Sequence, residues 1–242
     1  MRIKVVFTTD NNLVLPRDWR RYFISLLKSV FVENYSKVYT RKEYRPFVFS
    51  VWFGKDFKID DEVFAGREIS FVFSSGDPVV ITNFYNGVVK LKNKKFKIGK
   101  EELNLNSIDL LPYKKIKSTK VIFKTLGICV LNDSLSNKAE FKNWYILPTD
   151  NIERFNKCLF ERINDRYNFL TGMKEKHEIR LSLLKNDLIK ETIVYHYGGY
   201  IRGFRGIFLL EGSIQILQFV YDYGFGIRTG QGFGLLEVVK EL

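Results

Sequence analysis

The pattern that constrains this chain most is a change of hydrophobic period, from strand to helix and back, that runs through it twice in the same order. "RIKVVFTT" has the β-rich composition and partial alternation of a strand. In "LPRDWRRYFISLLKSVFVENY" the period switches: Trp19, Tyr22, Phe23, Leu26, Leu27, Val30 and Phe31 recur at the i, i+3, i+4 spacing of one helix face. Pro16 suits the start of this helix, and Arg21, Ser25 and Lys28 fall on another side of it. "RPFVFSVWFG" and "REISFVFSS" read as two further strands, and "DPVVITNFYNGVVKL" as a helix opened by Asp-Pro. "KKFKIGKEELNLNSIDLL" returns to extended chain with a turn at Gly99. The order βαββαβ is the split ferredoxin-like pattern.

The second half repeats the plan. "KVIFKTLGICVLN" is a strand and "TDNIERFNKCLFERINDRYNFLTG" a helix, with capping-box spacing between Asp150 and Glu153 and with Gly172 as its stop. "HEIRLSLLKND", "TIVYHY" and "GIFLLEG" are strands, with extra hairpin sequence around "VYHYGGYIRGFRG". A helix over 211–223, a glycine-rich loop and the strand "LLEVV" follow. The expected fold is α+β: two tandem ferredoxin-like (RRM-like) domains, 1–118 and 119–242, with the glycine-rich loop before the last strand.

With 45% apolar residues, 22 Phe and 13 Tyr, the 242-residue chain has ample material for globular cores. Lys and Arg number 39 against 27 Asp and Glu, a formal charge of +12. An excess of that size favours polyanionic partners, and a basic surface without such a partner is the plainer reading. Cys129 and Cys158 are far apart and read as reduced core thiols of a cytoplasmic protein. The apolar runs are short and broken by charge, so no membrane partner is expected, and "MRIKVVFTTD" is a strand rather than a signal peptide. His177 and His196 stand apart with no Cys cluster, and the Asp60–Asp61 pair reads as a solvated turn, so neither a metal nor a cofactor is expected. No Gly-x-Ser-x-Gly elbow supports acyl transfer.

Three basic or glycine-rich stretches carry the functional signal. The run 90–100 includes Lys94, Lys95 and Lys97, which either contact RNA phosphates or keep an edge strand soluble. The hairpin "YHYGGYIRGFRG" mixes aromatic rings with Arg202 and Arg205, residue types that stack on bases and grip phosphates, or that sit on an ordinary twisted hairpin. "GFGIRTGQGFG" (224–234) puts five glycines in eleven positions. Its helix-before, strand-after context excludes a Rossmann fingerprint, and it lacks the Gly-Lys-Ser/Thr of a P-loop. Glycines such as Gly226 and Gly232 let backbone N–H groups line an anion site, with Arg228 adding charge. The other reading is a structural plug through Phe225 and Phe233, and the two are compatible.

Two ferredoxin-like units ending in Gly224-Phe225-Gly226, five residues, then Gly232-Phe233-Gly234 resemble the CRISPR-associated repeat-RNA endoribonucleases, the sixth CRISPR-associated family within the RAMP superfamily. The resemblance extends to "LPRDWRRYFISLL", "RPFVFSVWF" and "FKTLGICVL". It implies a metal-independent endoribonuclease that binds CRISPR repeat RNA in precursor transcripts. The 2′-hydroxyl would attack the neighbouring phosphate and leave a 2′,3′-cyclic phosphate and a 5′-hydroxyl. Members draw catalytic groups from the first helix and the loop after it, often including a loop histidine. Here Tyr39 aligns near that histidine, Arg45 falls where a catalytic lysine is common, and Lys28 where a helix tyrosine or lysine occurs. Without the histidine the expected enzyme is slow. The implied RNA-binding set is Arg21, Lys94, Lys95, Lys97, Arg202, Arg205, Gly226, Arg228 and Gly232. Implied partners are precursor CRISPR RNA and a CRISPR effector complex, with the chain a monomer or homodimer. The alternative is a non-cleaving repeat-RNA-binding protein, or ribonucleoprotein subunit, of the same fold.

Overall fold

The computed structural model describes residues 1–31, 44–134 and 144–242. In chain order the first half is β1 (Arg2–Thr8), β2 (Leu13–Pro16), α1 (Arg20–Phe31), β3 (Val48–Trp52), β4 (Lys58–Ile59), β5 (Glu62–Ala65), β6 (Glu68–Ser74), α2 (Pro78–Val89), β7 (Phe96–Ile98) and β8 (Glu101–Leu111). Its antiparallel sheet runs β3-β6-β1-β8-β7. Without the added edge strand β7, that is the strand order of the expected ferredoxin-like unit. α2 starts where Asp-Pro predicts: Asp77 Oδ1 accepts from Val79 N at 2.8 Å, and Pro78 occupies the first turn. Phenylalanines fill the space between helices and sheet, as where Phe73 stacks on Phe84 at 4.0 Å between centroids.

One part of this half differs from the expectation. Pro16 does not open α1; it ends β2, and the helix begins four residues later at Arg20. β2 pairs with β5, and β5 with β4, in a small separate sheet whose turn holds Asp60 and Asp61. Proline is tolerated at that edge because its missing N–H leaves no ladder bond unmade.

The second half comprises β9 (Lys120–Thr125), α3 (Ile152–Thr171), β10 (Ile179–Ser182), β11 (Ile189–His196), β12 (Gly199–Gly212), α4 (Ile214–Tyr223) and β13 (Leu236–Glu241). The sheet order β10-β12-β9-β13 repeats that of the first unit. β12 is long enough to serve twice: its first part pairs with β11 in a hairpin and its last part with β9 and β10. Gly172 ends α3 at φ 73° as expected, but the N-cap is Asn151, which accepts from Arg154 N at 2.9 Å. Asp150 instead accepts from Leu147 N and faces Arg202.

Each half has its own apolar core, one built from residues between Ile3 and Leu103, the other from residues between Ile116 and Leu236. A small cluster of Ile128, Val130, Ile201 and Phe233 lies apart from both. Polar bonds tie the halves together. Arg2 Nη2 donates to Tyr221 O and Ser74 Oγ to Asp222 O, both at 2.8 Å, and Ser50 Oγ donates to Leu126 O. Asp18, just before α1, accepts from the β11–β12 turn. Among the described residues no helix is long and apolar enough to cross a membrane.

Candidate functional site

The glycine-rich loop leaves α4 through Gly224 and is pinned at its base by Phe225 N to Gly234 O at 2.7 Å. Phe225 enters the second core, 5.5 Å from Phe208, while Phe233 packs beside Arg20. Gly226 (φ +69°) lies so close to β9's continuation that a Cβ would sit 2.1 Å from Val130 O, the same oxygen that accepts from Ile227 N. The loop then forms a single 3₁₀ turn, Thr229–Gln231, preceded by Arg228 in the left-handed region at φ 60°. Arg228 Nη1 bonds Gln231 Oε1 at 3.0 Å. The amides of Gln231 and Gly232 close the turn onto Arg228 O at 2.8 Å and Thr229 O at 3.2 Å.

This turn meets the first domain. Arg45 crosses Gly230, where a Cβ would lie 2.5 Å from Arg45 Cγ. A cavity of about 430 Å³ opens there, lined by Ile24 and Lys28 of α1, Tyr44, Arg45, Arg166 of α3, Tyr197 of the hairpin turn, and Gly226–Gln231. Among the described residues four cations line it and no carboxylate does. The charge follows from where each element ends: Lys28 is exposed on α1's polar side, and Arg45 stands two residues before the buried Phe47 that leads into β3.

Arg166 is 2% exposed, and its guanidinium donates to Gly226 O at 3.2 Å and to Tyr223 O. Burial lowers its pKa to about 10, against the opposing influence of Tyr44 and Tyr223, so it stays charged at neutral pH. It therefore holds the loop's carbonyls from below and adds positive potential to the cavity.

The structure brings together Lys28, Arg45, Gly226 and Arg228. Gly232 and Arg205 line a different groove, with Trp52 and Lys124. Arg21 lies beside Tyr195 and Tyr200 on the outer side of the hairpin tip. Arg202 is engaged by two carboxylates, Asp150 at 2.6 Å and Glu191 at 2.7 Å. Lys94, Lys95 and Lys97 lie at or beside β7, the sheet edge opposite β3, and Lys95 pairs with Glu102 at 2.9 Å. Tyr39 lies outside the described residues. Neither histidine lines the cavity: His177 bonds Ser213 Oγ at 3.1 Å, and His196 is buried with Nδ1 2.9 Å from Asp18 Oδ1. Sequence reading missed Arg166, Tyr44 and Tyr197. Among the described residues no three His, Cys, Asp or Glu side chains gather as metal ligands would.

A family model described as CRISPR associated protein Cas6, C-terminal, matches residues 111–238, which span the second sheet and the whole glycine loop. The chain belongs to the Cas6 family. A Pyrococcus furiosus relative, named a CRISPR-associated endoribonuclease-like protein Cas6, is 30% identical over 176 residues, 72% of this chain and 69% of its own. A Methanocaldococcus jannaschii relative, named a CRISPR-associated endoribonuclease Cas6, is 25% identical over 100% of this chain and 94% of its own. Among solved structures, one titled "An RAMP protein binding different RNA substrates" superposes with a TM-score of 0.83 at 26% identity, covering 99% of this chain and all of that one. With its structural neighbours the chain shares a mixed α/β architecture of antiparallel sheets, consistent with the repeated βαββαβ order.

Proposed function

We propose that this chain binds CRISPR repeat RNA and cleaves it without a metal ion, the 2′-hydroxyl attacking the adjacent phosphate to leave a 2′,3′-cyclic phosphate and a 5′-hydroxyl. The observation that carries this reading is the cavity with four cationic side chains and no carboxylate among its described lining, and with the glycine-loop backbone at its wall. Such a site suits a phosphodiester and repels no part of it. Lys28 and Arg45 line it from the first half, the loop backbone and Arg228 from the second. A phosphorane gains negative charge on its non-bridging oxygens, and preorganised donors favour that state over the ground state. Alignment of the 2′-oxygen with the leaving 5′-oxygen supplies a further share of the rate.

A second reading, RNA binding without cleavage, is favoured by one observation: the cavity presents no histidine among the described residues. Unperturbed tyrosine and lysine ionise near 10 and 10.4, so neither is a ready base at neutral pH. The test is incubation of purified protein with repeat RNA in EDTA, with analysis of product ends. Cleavage to a cyclic phosphate, abolished by Lys28→Ala with Arg45→Ala while binding persists, supports the enzyme. Intact RNA that stays bound supports the binder. The absence of binding refutes both.

A further inference from the structure

Cations of the cavity can hold a phosphate of any sequence, so discrimination needs a group that touches a base. Among the described residues two non-glycines have positive φ, Tyr197 at 49° and Arg228 at 60°, and both line this cavity. Tyr197 and Gly198 (φ +79°) form the two-residue turn between β11 and β12. Turns with positive φ at both central positions favour Asn, Asp or Gly, so a tyrosine at the first is strained. The residue is 53% exposed, so burial does not offset that strain.

What holds it in place comes from the other domain. Tyr197 N donates to Asp18 Oδ2 at 2.9 Å, and Asp18 Oδ1 is 2.9 Å from His196 Nδ1. The His196 imidazole meets the Tyr197 ring edge-on at 4.5 Å. Burial, and then Asp18, keep the phenol above its usual pKa, so it remains protonated and can donate but not abstract a proton. Strained backbone maintained by a cross-domain carboxylate, for the benefit of an exposed ring on a cavity rim, is the arrangement expected of a ligand-contacting residue.

We propose that Tyr197 is a specificity-determining residue, its ring stacking on the nucleobase next to the phosphate held by Lys28, Arg45 and Arg228. The inference rests on the RNA-binding cavity of the preceding section and adds which group reads the neighbouring nucleotide. The test uses repeat RNA carrying 2-aminopurine on either side of the cleavage phosphate, with fluorescence quenching and affinity measured in parallel. Wild-type protein should quench one of the two positions. Tyr197→Leu and Tyr197→Gly should lose that quench and bind about five- to a hundredfold more weakly, the usual worth of one aromatic–base stack. Tyr197→Phe should retain both. Tyr197→Gly should also raise the unfolding midpoint, because glycine adopts positive φ freely; weaker binding by a more stable protein cannot be blamed on lost fold. Binding within twofold of wild type and unchanged quenching in the Leu and Gly variants would overturn this inference alone. Failure of the wild type to bind repeat RNA would overturn it together with the proposed function.

Discussion

Two glycines with nearly the same φ allow the loop's packing to be separated from its φ angle. Gly172 at the end of α3 has φ +73° and open space where a Cβ would go; Gly226 has φ +69° and Val130 O at 2.1 Å. Gly172→Ala should cost only the left-handed penalty, about 1–2 kcal/mol. Gly226→Ala carries the same penalty and also drives a methyl carbon into an oxygen, where ordinary contacts sit at about 3.3 Å or more. The loop must then shift by about 1 Å, breaking the 2.9 Å bond from Ile227 N to Val130 O and straining that from Phe225 N to Gly234 O. At about 1 kcal/mol for each bond, Gly226→Ala should lose about 3–4 kcal/mol in all. Urea unfolding followed by tryptophan fluorescence, with three tryptophans as reporters, measures both variants against wild type. Equal losses, within 0.5 kcal/mol or so, would show that the Val130 contact does not restrain the loop. The same geometry means that a bulky residue at Gly226 damages the fold before it can report on RNA contact.

Other expectations follow from placement. Replacing Lys94, Lys95 and Lys97 by Ala should leave single-turnover cleavage unchanged and lower the salt dependence of binding only for RNA long enough to reach the β7 edge; a slower cleavage step would put these lysines at the site. Burial holds the His196 pKa below 6.5 despite Asp18, with Arg20 and Arg228 adding to the depression. The unfolded chain therefore takes up the proton first as pH falls through about 6.5, and stability drops in that direction. His196→Gln should flatten the loss of unfolding free energy between pH 7 and 5, and an unchanged pH slope would refute the assignment. If a phenol, an amine or the 2′-hydroxyl itself supplies the ionisation, single-turnover cleavage keeps rising above pH 7, whereas a plateau near 6.5 would point to an imidazole.

The repeated βαββαβ order was legible because long amphipathic helices and alternating strands carry their period in the local sequence. The β2–β5–β4 sheet was not, since "KI" and "EVFA" are too short to show any period. Glycine spacing located the loop, and the family resemblance picked Lys28 from the polar side of α1. Alternation with Phe96 and Ile98 turns Lys95 and Lys97 to solvent, but only sheet order says that they stand at the far edge from β3. Arg166 was illegible for a different reason. In "ERINDRYNFL" it looks like one more solvated helix charge, and what buries it arrives 60 residues later in the chain, when Gly226 O closes over it.

The contact between Arg45 and Gly230 also sets an order in time. A ribosome adding 5–20 residues per second finishes Arg45 roughly ten to forty seconds before it reaches Arg228, about 180 residues on. During that interval the first unit can fold, with Lys28 and Arg45 in place, but the wall that faces them does not yet exist. The cavity is therefore complete only after the glycine loop has been made. Until that loop has emerged and docked, the proposed site consists of its first half alone, an open basic face with no opposing wall.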